Sequence, residues 1–138
     1  MTAEFRLRVY WEDTDAGGIV YYANYLKFIE RARTEALIGL GLSQTSLRER
    51  FGILFAVRDL AVSYLAPARL EDQLVVTTRA GAIGAARLVM DQEILRGETR
   101  LAKCRVTLVC LGPEGRPARM PAELRMALGR LPPLATEP

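Results

Sequence analysis

The chain of 138 residues contains no histidine. That absence excludes Ser-His-Asp and Cys-His catalysis, imidazole metal sites and a histidine-based pH switch. Cysteine is scarce as well, limited to Cys104 and Cys110. They lie in an apolar alternating run, where a strand would put both on one face but roughly 20 Å apart, too far to bridge. They read as buried core thiols. No stretch approaches about 18 consecutive apolar residues, so no membrane span is expected. No block of like basic charges occurs, and Lys plus Arg exceeds Asp plus Glu only by 19 − 16 = 3. Nucleic-acid binding is therefore not indicated, although a small positive excess suits a ligand that carries phosphates. The chemistry is left to carboxylates, hydroxyls, amides and backbone groups.

What is present is ordinary for a soluble globular chain: 50% hydrophobic and 25% charged residues, with a length that suits one domain over 1–138. Residues 1–15 alternate and then turn acidic, unlike a signal peptide, so a cytoplasmic protein is expected. Phe5, Leu7, Val9 and Trp11 alternate with polar neighbours and predict a strand over 5–12. The run 13–18 reads as a turn. Tyr25, Phe28, Ile29, Ala32, Ala36 and Leu40 then follow helical spacing, which predicts a long helix over 24–40. Asn24 is its expected N-cap, and Gly39 and Gly41 mark its end. Residues 43–50 read as a short helix or irregular turn. Strands are expected at 53–65, 72–80, 87–96 and 99–111, the last two joined by a Gly97-Glu98 hairpin turn. A short helix over 121–128 precedes a tail, about 130–138, expected to be loose. One long helix and strands joined by short turns define an α+β domain with an antiparallel sheet.

The segment with the densest chemistry is 9–35. Asp13, Asp15, Gly17 and Gly18 superficially suggest a calcium loop, but the twelfth position counted from Asp13 is Asn24 rather than glutamate. No phosphate-binding glycine fingerprint occurs. By composition alone Asp15 caps a turn, and Asp13 reads as structural. The run Asp15-Ala16-Gly17-Gly18-Ile19-Val20-Tyr21-Tyr22-Ala23-Asn24-Tyr25, with Glu30-Arg31-Ala32-Arg33 behind it, resembles the hot-dog-fold acyl-CoA thioesterases. The type is that of 4-hydroxybenzoyl-CoA thioesterase, and the resemblance is closest to its Tol-Pal-associated (YbgC-like) branch. It continues through Tyr64-Leu65-Ala66-Pro67-Ala68, Asp72-Gln73-Leu74, Leu101-Ala102-Lys103-Cys104 and Gly115-Arg116-Pro117.

The resemblance implies a five-stranded antiparallel sheet wrapped around one central helix. It also implies a thioester hydrolase needing no metal or redox cofactor, coenzyme A being part of the substrate. Asp15 falls on the family's catalytic carboxylate. As nucleophile it would form a transient mixed anhydride; as general base it would deprotonate water. The backbone N–H groups of Tyr22 and Ala23 at the helix start would polarise the carbonyl. Gly17 and Gly18 would let the backbone approach the thioester, and Val20, Tyr22 and Asn24 complete the expected substrate contacts. Tyr22 stands where most Tol-Pal-associated relatives carry a histidine; the aromatic-acyl thioesterases resemble this chain there, and Tyr22 reads as a wall of the acyl pocket. Arg87 is the candidate for the coenzyme A phosphates. The resemblance further implies a homodimer or homotetramer with sheets joined edge to edge. Acyl carrier protein is a second candidate carrier of the acyl group. The alternative function is an acyl-carrier-protein-binding or scaffold role beside a cell-envelope (Tol-Pal) system.

Overall fold

A computed structural model describes residues 3–134. Its element order is β1 (Glu4–Arg8), α1 (Tyr25–Gly39), α2 (Gln44–Phe51), β2 (Leu54–Tyr64), β3 (Gln73–Ile83), β4 (Arg87–Arg96), β5 (Thr99–Leu111) and α3 (Ala122–Leu128). The strands form one five-stranded sheet in the order β1-β3-β4-β5-β2, and each neighbouring pair is antiparallel. The sheet curls about α1, which packs against β1, β3 and β4. The expected hot-dog architecture is therefore the observed one.

The core follows from strict alternation. Val76, Thr78 and Ala80 of β3 lie opposite Ile94, Gln92 and Met90 of β4, and all six are buried. Gln92, Met90 and Leu88 in turn lie opposite Cys104, Val106 and Leu108 of β5. Cross-strand partners share a face, so one surface of the sheet is apolar and α1 covers much of it. From α1 come Tyr25, Phe28, Ile29, Ala32, Ala36 and Leu37, all buried. Leu37 takes the place expected of Leu40, which is only half-buried. The helix stops in a Schellman turn. Gly41 takes φ 76°, a conformation open to glycine at little strain, and Leu42 N–H donates to Leu37 C=O at 2.9 Å.

Three local expectations need correction. The first strand ends at Arg8 rather than 12, because Trp11–Asp13 closes into a 3₁₀ turn. Asn24 is not an N-cap in the usual sense: it already has helical dihedrals (φ −71°, ψ −22°), and its side chain makes no capping bond. A 3₁₀ turn over Tyr22–Asn24 leads into α1 instead. Residues 130–134 are docked, not loose. Leu131 is buried, Ala80 N–H donates to Pro132 C=O at 2.8 Å, and Arg79 reaches Pro133 C=O at 3.2 Å. The remainder of the expected tail, 135–138, lies outside the described residues.

Candidate active site

Residues 13–21 form a small hairpin that feeds α1. Tyr21 N–H donates to Asp13 C=O at 3.0 Å, and Asp15 N–H donates to Ile19 C=O at 2.9 Å. Thr14 and Val20 pair between these two rungs. The tip is closed by Gly18 N–H, which donates to Asp15 C=O at 3.0 Å. Gly18 has φ 77°, and an L side chain there would carry strain. The hairpin is fastened to the body from behind: Val20 N–H donates to Ala68 C=O at 2.9 Å, and Ala68 N–H donates to the Tyr25 hydroxyl at 2.9 Å.

The two aspartates of this hairpin sit in different surroundings. Asp13 is buried, and both of its carboxylate oxygens are engaged. Oδ2 accepts from Tyr10 N–H at 2.8 Å, and Oδ1 accepts from Asn24 Nδ2 at 2.9 Å. Asp15 is exposed. Its Oδ1 accepts from Gly17 N–H at 2.8 Å, and Oδ2 meets no donor among the described residues. A Cβ on Gly17 would stand 3.2 Å from Asp15 Oδ1, so glycine there leaves the carboxylate its place.

Behind the hairpin, the N–H groups of Tyr22 and Ala23 meet no acceptor among the described residues. That is the normal condition of the first helical turn. Tyr64 closes the other side, its hydroxyl donating to Tyr22 C=O at 2.7 Å. Tyr22, Tyr25 and Tyr64 meet edge to face, with centroids 6.4 Å apart for Tyr22–Tyr64 and 5.3 Å for Tyr25–Tyr64. Tyr21 and Tyr22 are also in contact, at 4.9 Å. Burial, followed by the neighbouring Tyr22, Tyr25 and Cys104, raises the pKa of Tyr64 and keeps its hydroxyl protonated. The outcome is a half-exposed aromatic wall beside free N–H groups.

The other candidates are placed as follows. Gly17 and Gly18 form the hairpin tip. Val20 is buried beneath it, 2% exposed. The Asn24 carboxamide is occupied by Asp13. Arg87 begins β4, opposite Val109, whereas Tyr64 lies opposite Ala102. Those partners are 109 − 102 = 7 residues apart on β5, roughly 23 Å, so one chain does not bring Arg87 to the hairpin. The thiols are inert. Burial pushes Cys104 up to about 11 and raises Cys110, so neither is a thiolate nucleophile near neutral pH.

Two contributors stood in the motif runs without an assigned role. Tyr64 touches Tyr22 across 42 positions, beyond any local periodicity. Asp72 steadies the 67–72 connection that holds Val20. It accepts from Arg69 N–H at 2.8 Å and from Arg96 at 2.7 Å. Burial opposes its charge, but those donors and the two arginine charges outweigh it and hold the carboxyl below its ordinary value.

A curled antiparallel sheet around one helix, with a carboxylate turn at that helix's N-terminus, defines a class, and sequence comparison agrees with it. Residues 17–103 match the thioesterase superfamily, and the chain belongs to that superfamily. It is 41% identical over 129 residues to the acyl-CoA thioesterase YbgC of Haemophilus influenzae, covering 92% of this chain and 94% of the relative. Among solved structures, a probable thioesterase from Bartonella henselae superposes with a TM-score of 0.83 at 36% identity, covering 88% of this chain and 100% of that one. A 1,4-dihydroxy-2-naphthoyl-CoA thioesterase from Synechocystis gives a TM-score of 0.85 at 27% identity, covering 95% and 98%. No helix among the described residues is long and apolar enough to cross a membrane.

Proposed function

We propose that the protein hydrolyses an acyl-CoA thioester to the free acid and coenzyme A, with Asp15 as the reacting carboxylate. The observation that carries this reading is the pairing of an exposed carboxylate, one oxygen held and one free, with two unsatisfied N–H groups at the start of α1. The thioester carbonyl accepts from Tyr22 and Ala23 N–H, which also stabilise the oxyanion as it develops. Asp15 lies two residues along the hairpin from the Tyr21 rung, roughly 7 Å. A carbonyl held at about 2.9 Å from an N–H, with an attacking oxygen about 3 Å beyond its carbon, spans a gap of the same order.

The free oxygen of Asp15 either attacks that carbon or takes a proton from water that does. In the second route the C–S bond breaks as the tetrahedral intermediate collapses, and the proton on Asp15 passes to the departing thiolate. In the first, attack breaks the C–S bond and expels the CoA thiolate; water then hydrolyses the mixed anhydride to the free acid, and the proton left on Asp15 passes to the thiolate and restores the carboxylate. With no histidine in the chain, a carboxylate is the natural base for either route. Asp15→Asn tests the assignment against aliphatic and aromatic acyl-CoA substrates. A folded variant with wild-type turnover would overturn it.

The active unit is proposed to be a homodimer joined through β2. This 11-residue strand ends the sheet order, and its outer edge pairs with no strand among the described residues. Val57 and Leu60 on it are 50% and 42% exposed. A long apolar edge of this kind is normally covered. Sedimentation velocity of the wild type tests this, with a dimer expected and a monomer overturning it.

A further inference from the structure

We infer that Arg33 and Glu30 form a specificity site for an acyl chain that ends in a hydroxyl group, an inference that rests on the thioesterase reading above. A cavity of about 220 Å³ lies between α1 and β2, lined by Glu30, Arg33, Gln44, Phe55, Val57 and Leu108. Most of its polar lining is already engaged. Gln44 Oε1 accepts from Phe55 N–H at 3.2 Å. Glu30 is exposed; its Oε1 accepts from the Thr34 hydroxyl at 3.0 Å, and Oε2 meets no donor among the described residues. Arg33 is half-buried and makes one hydrogen bond, from Nη1 to Gln92 Oε1 at 3.2 Å. A guanidinium carries five N–H donors, and the others meet no acceptor among the described residues, at a position on the cavity wall.

The guanidinium is held in place. Gln92 is fully buried, and its Nε2 donates to Ile29 C=O at 2.9 Å and to Thr78 Oγ1 at 3.0 Å. Its oxygen is thereby fixed toward Arg33. A hydroxyl complements this pair: it accepts from Arg33 and donates to the free oxygen of Glu30. A carboxylate would satisfy Arg33 but be repelled by Glu30. A bare methyl end would leave the donors desolvated and unpaired.

Exposed and half-buried apolar side chains lie between the cavity and the proposed oxyanion site. Leu26, Glu30 and Arg33 succeed one another at spacings of four and three, one stripe of α1, and Tyr22 lies in the 3₁₀ turn just before it. Alongside, Val57, Leu60 and Tyr64 of β2 lie opposite Leu108, Val106 and Ala102, all buried, and so point to the same side of the sheet. Yet Val57, Leu60 and Tyr64 are 50%, 42% and 46% exposed, because α1 packs over the other half of the sheet. Ten residues separate Ala23 from Arg33, roughly 15 Å at 1.5 Å per residue, and a helical side chain leans back toward the N-terminus. That span suits a medium-length chain and is too long for a single benzoyl ring.

The test compares octanoyl-CoA, ω-hydroxyoctanoyl-CoA and the octanedioyl thioester, with kcat and KM measured separately for wild type and Arg33→Met. Wild type is expected to prefer the hydroxyl-ended chain, mainly through KM. Arg33→Met should lose about tenfold of that preference, partly through a lower KM for octanoyl-CoA, whose methyl end no longer meets unpaired donors. The ratio is taken within each variant, so a partly folded preparation does not alter it, and Arg33→Gln serves as a second variant. An equal ratio in wild type and variants overturns the inference and leaves the thioesterase reading intact. A preference for the octanedioyl thioester overturns it too. Hydrolysis of none of the three by a wild type that turns over a shorter or aromatic acyl-CoA overturns this inference alone.

Discussion

Asp13 and Asp15 stand two positions apart, yet the turns that hold them do opposite things. The first turn is closed on itself. Its carboxylate is buried and saturated by Tyr10 N–H and the Asn24 amide, so its charge goes into anchoring the hairpin to the start of α1. The second turn takes a single bond from its carboxylate, accepted from Gly17 N–H, and leaves that carboxylate exposed with an oxygen to spare. The same side chain type serves structure at one position and, in the proposed mechanism, chemistry at the other. What separates them is whether donors converge on the group, not how acidic the local sequence is.

The sharpest way to break that contrast is to neutralise each carboxylate in turn. Asp15→Asn should lower kcat/KM at least about a hundredfold with an unchanged melting temperature. Asp13→Ala should destabilise the fold by about 2–3 kcal/mol in urea unfolding, because two donors lose their acceptor. Equal effects of the two on stability would erase the distinction. Next in size is the donor side. Tyr21 has φ −59° and ψ 131°, which a following proline accepts. Tyr22→Pro should therefore remove one N–H without unfolding the turn and cut kcat about a hundredfold. Tyr22→Ala, which keeps the N–H, should do far less. Steady-state kinetics of the two variants side by side decides the point.

Smaller effects test the supports. Gly18→Ala should cost about 1–2 kcal/mol, since φ is positive there, as thermal unfolding would show. Asp72 gives a pH signature. Its folded pKa lies below the ordinary value of 3.8, so its contribution is complete above that value and is lost as pH falls through the folded one. Asp72→Asn should therefore flatten the acid limb of stability below about pH 3.8 and leave neutral pH less stable than wild type, measured by urea unfolding across pH.

Much of this architecture was legible in the chain. The bounds of β4 and β5 coincide with the alternating runs, since nothing local competes with the ladder there and Gly97 punctuates them. The first strand was overread because alternation continues through Trp11 while the Asp13 carboxylate bonds back to Tyr10 N–H, a side-chain alternative to the ladder that hydropathy does not register. Asn24 failed as a cap for a related reason: its amide is drawn to Asp13, and the chain has already turned at Tyr22. Asp15 was visible only through the long motif around it, since by itself it is one turn aspartate among others. Tyr64 and Arg33 stood inside motif runs but without roles, because they meet their partners Tyr22 and Gln92 across 42 and 59 positions.

The pairing of β1 with β3 has a kinetic consequence. Glu4 lies opposite Thr77, so this ladder closes a loop that contains the hairpin, α1 and β2. Such non-local pairing is entropically late, whereas the β3–β4–β5 meander is local. The bonds from Val20 to Ala68 and from Val9 to Asp72 span the same closure. In refolding experiments, thioester hydrolysis should thus return after most of the sheet signal in circular dichroism, making turnover a reporter of the last event in folding rather than the first.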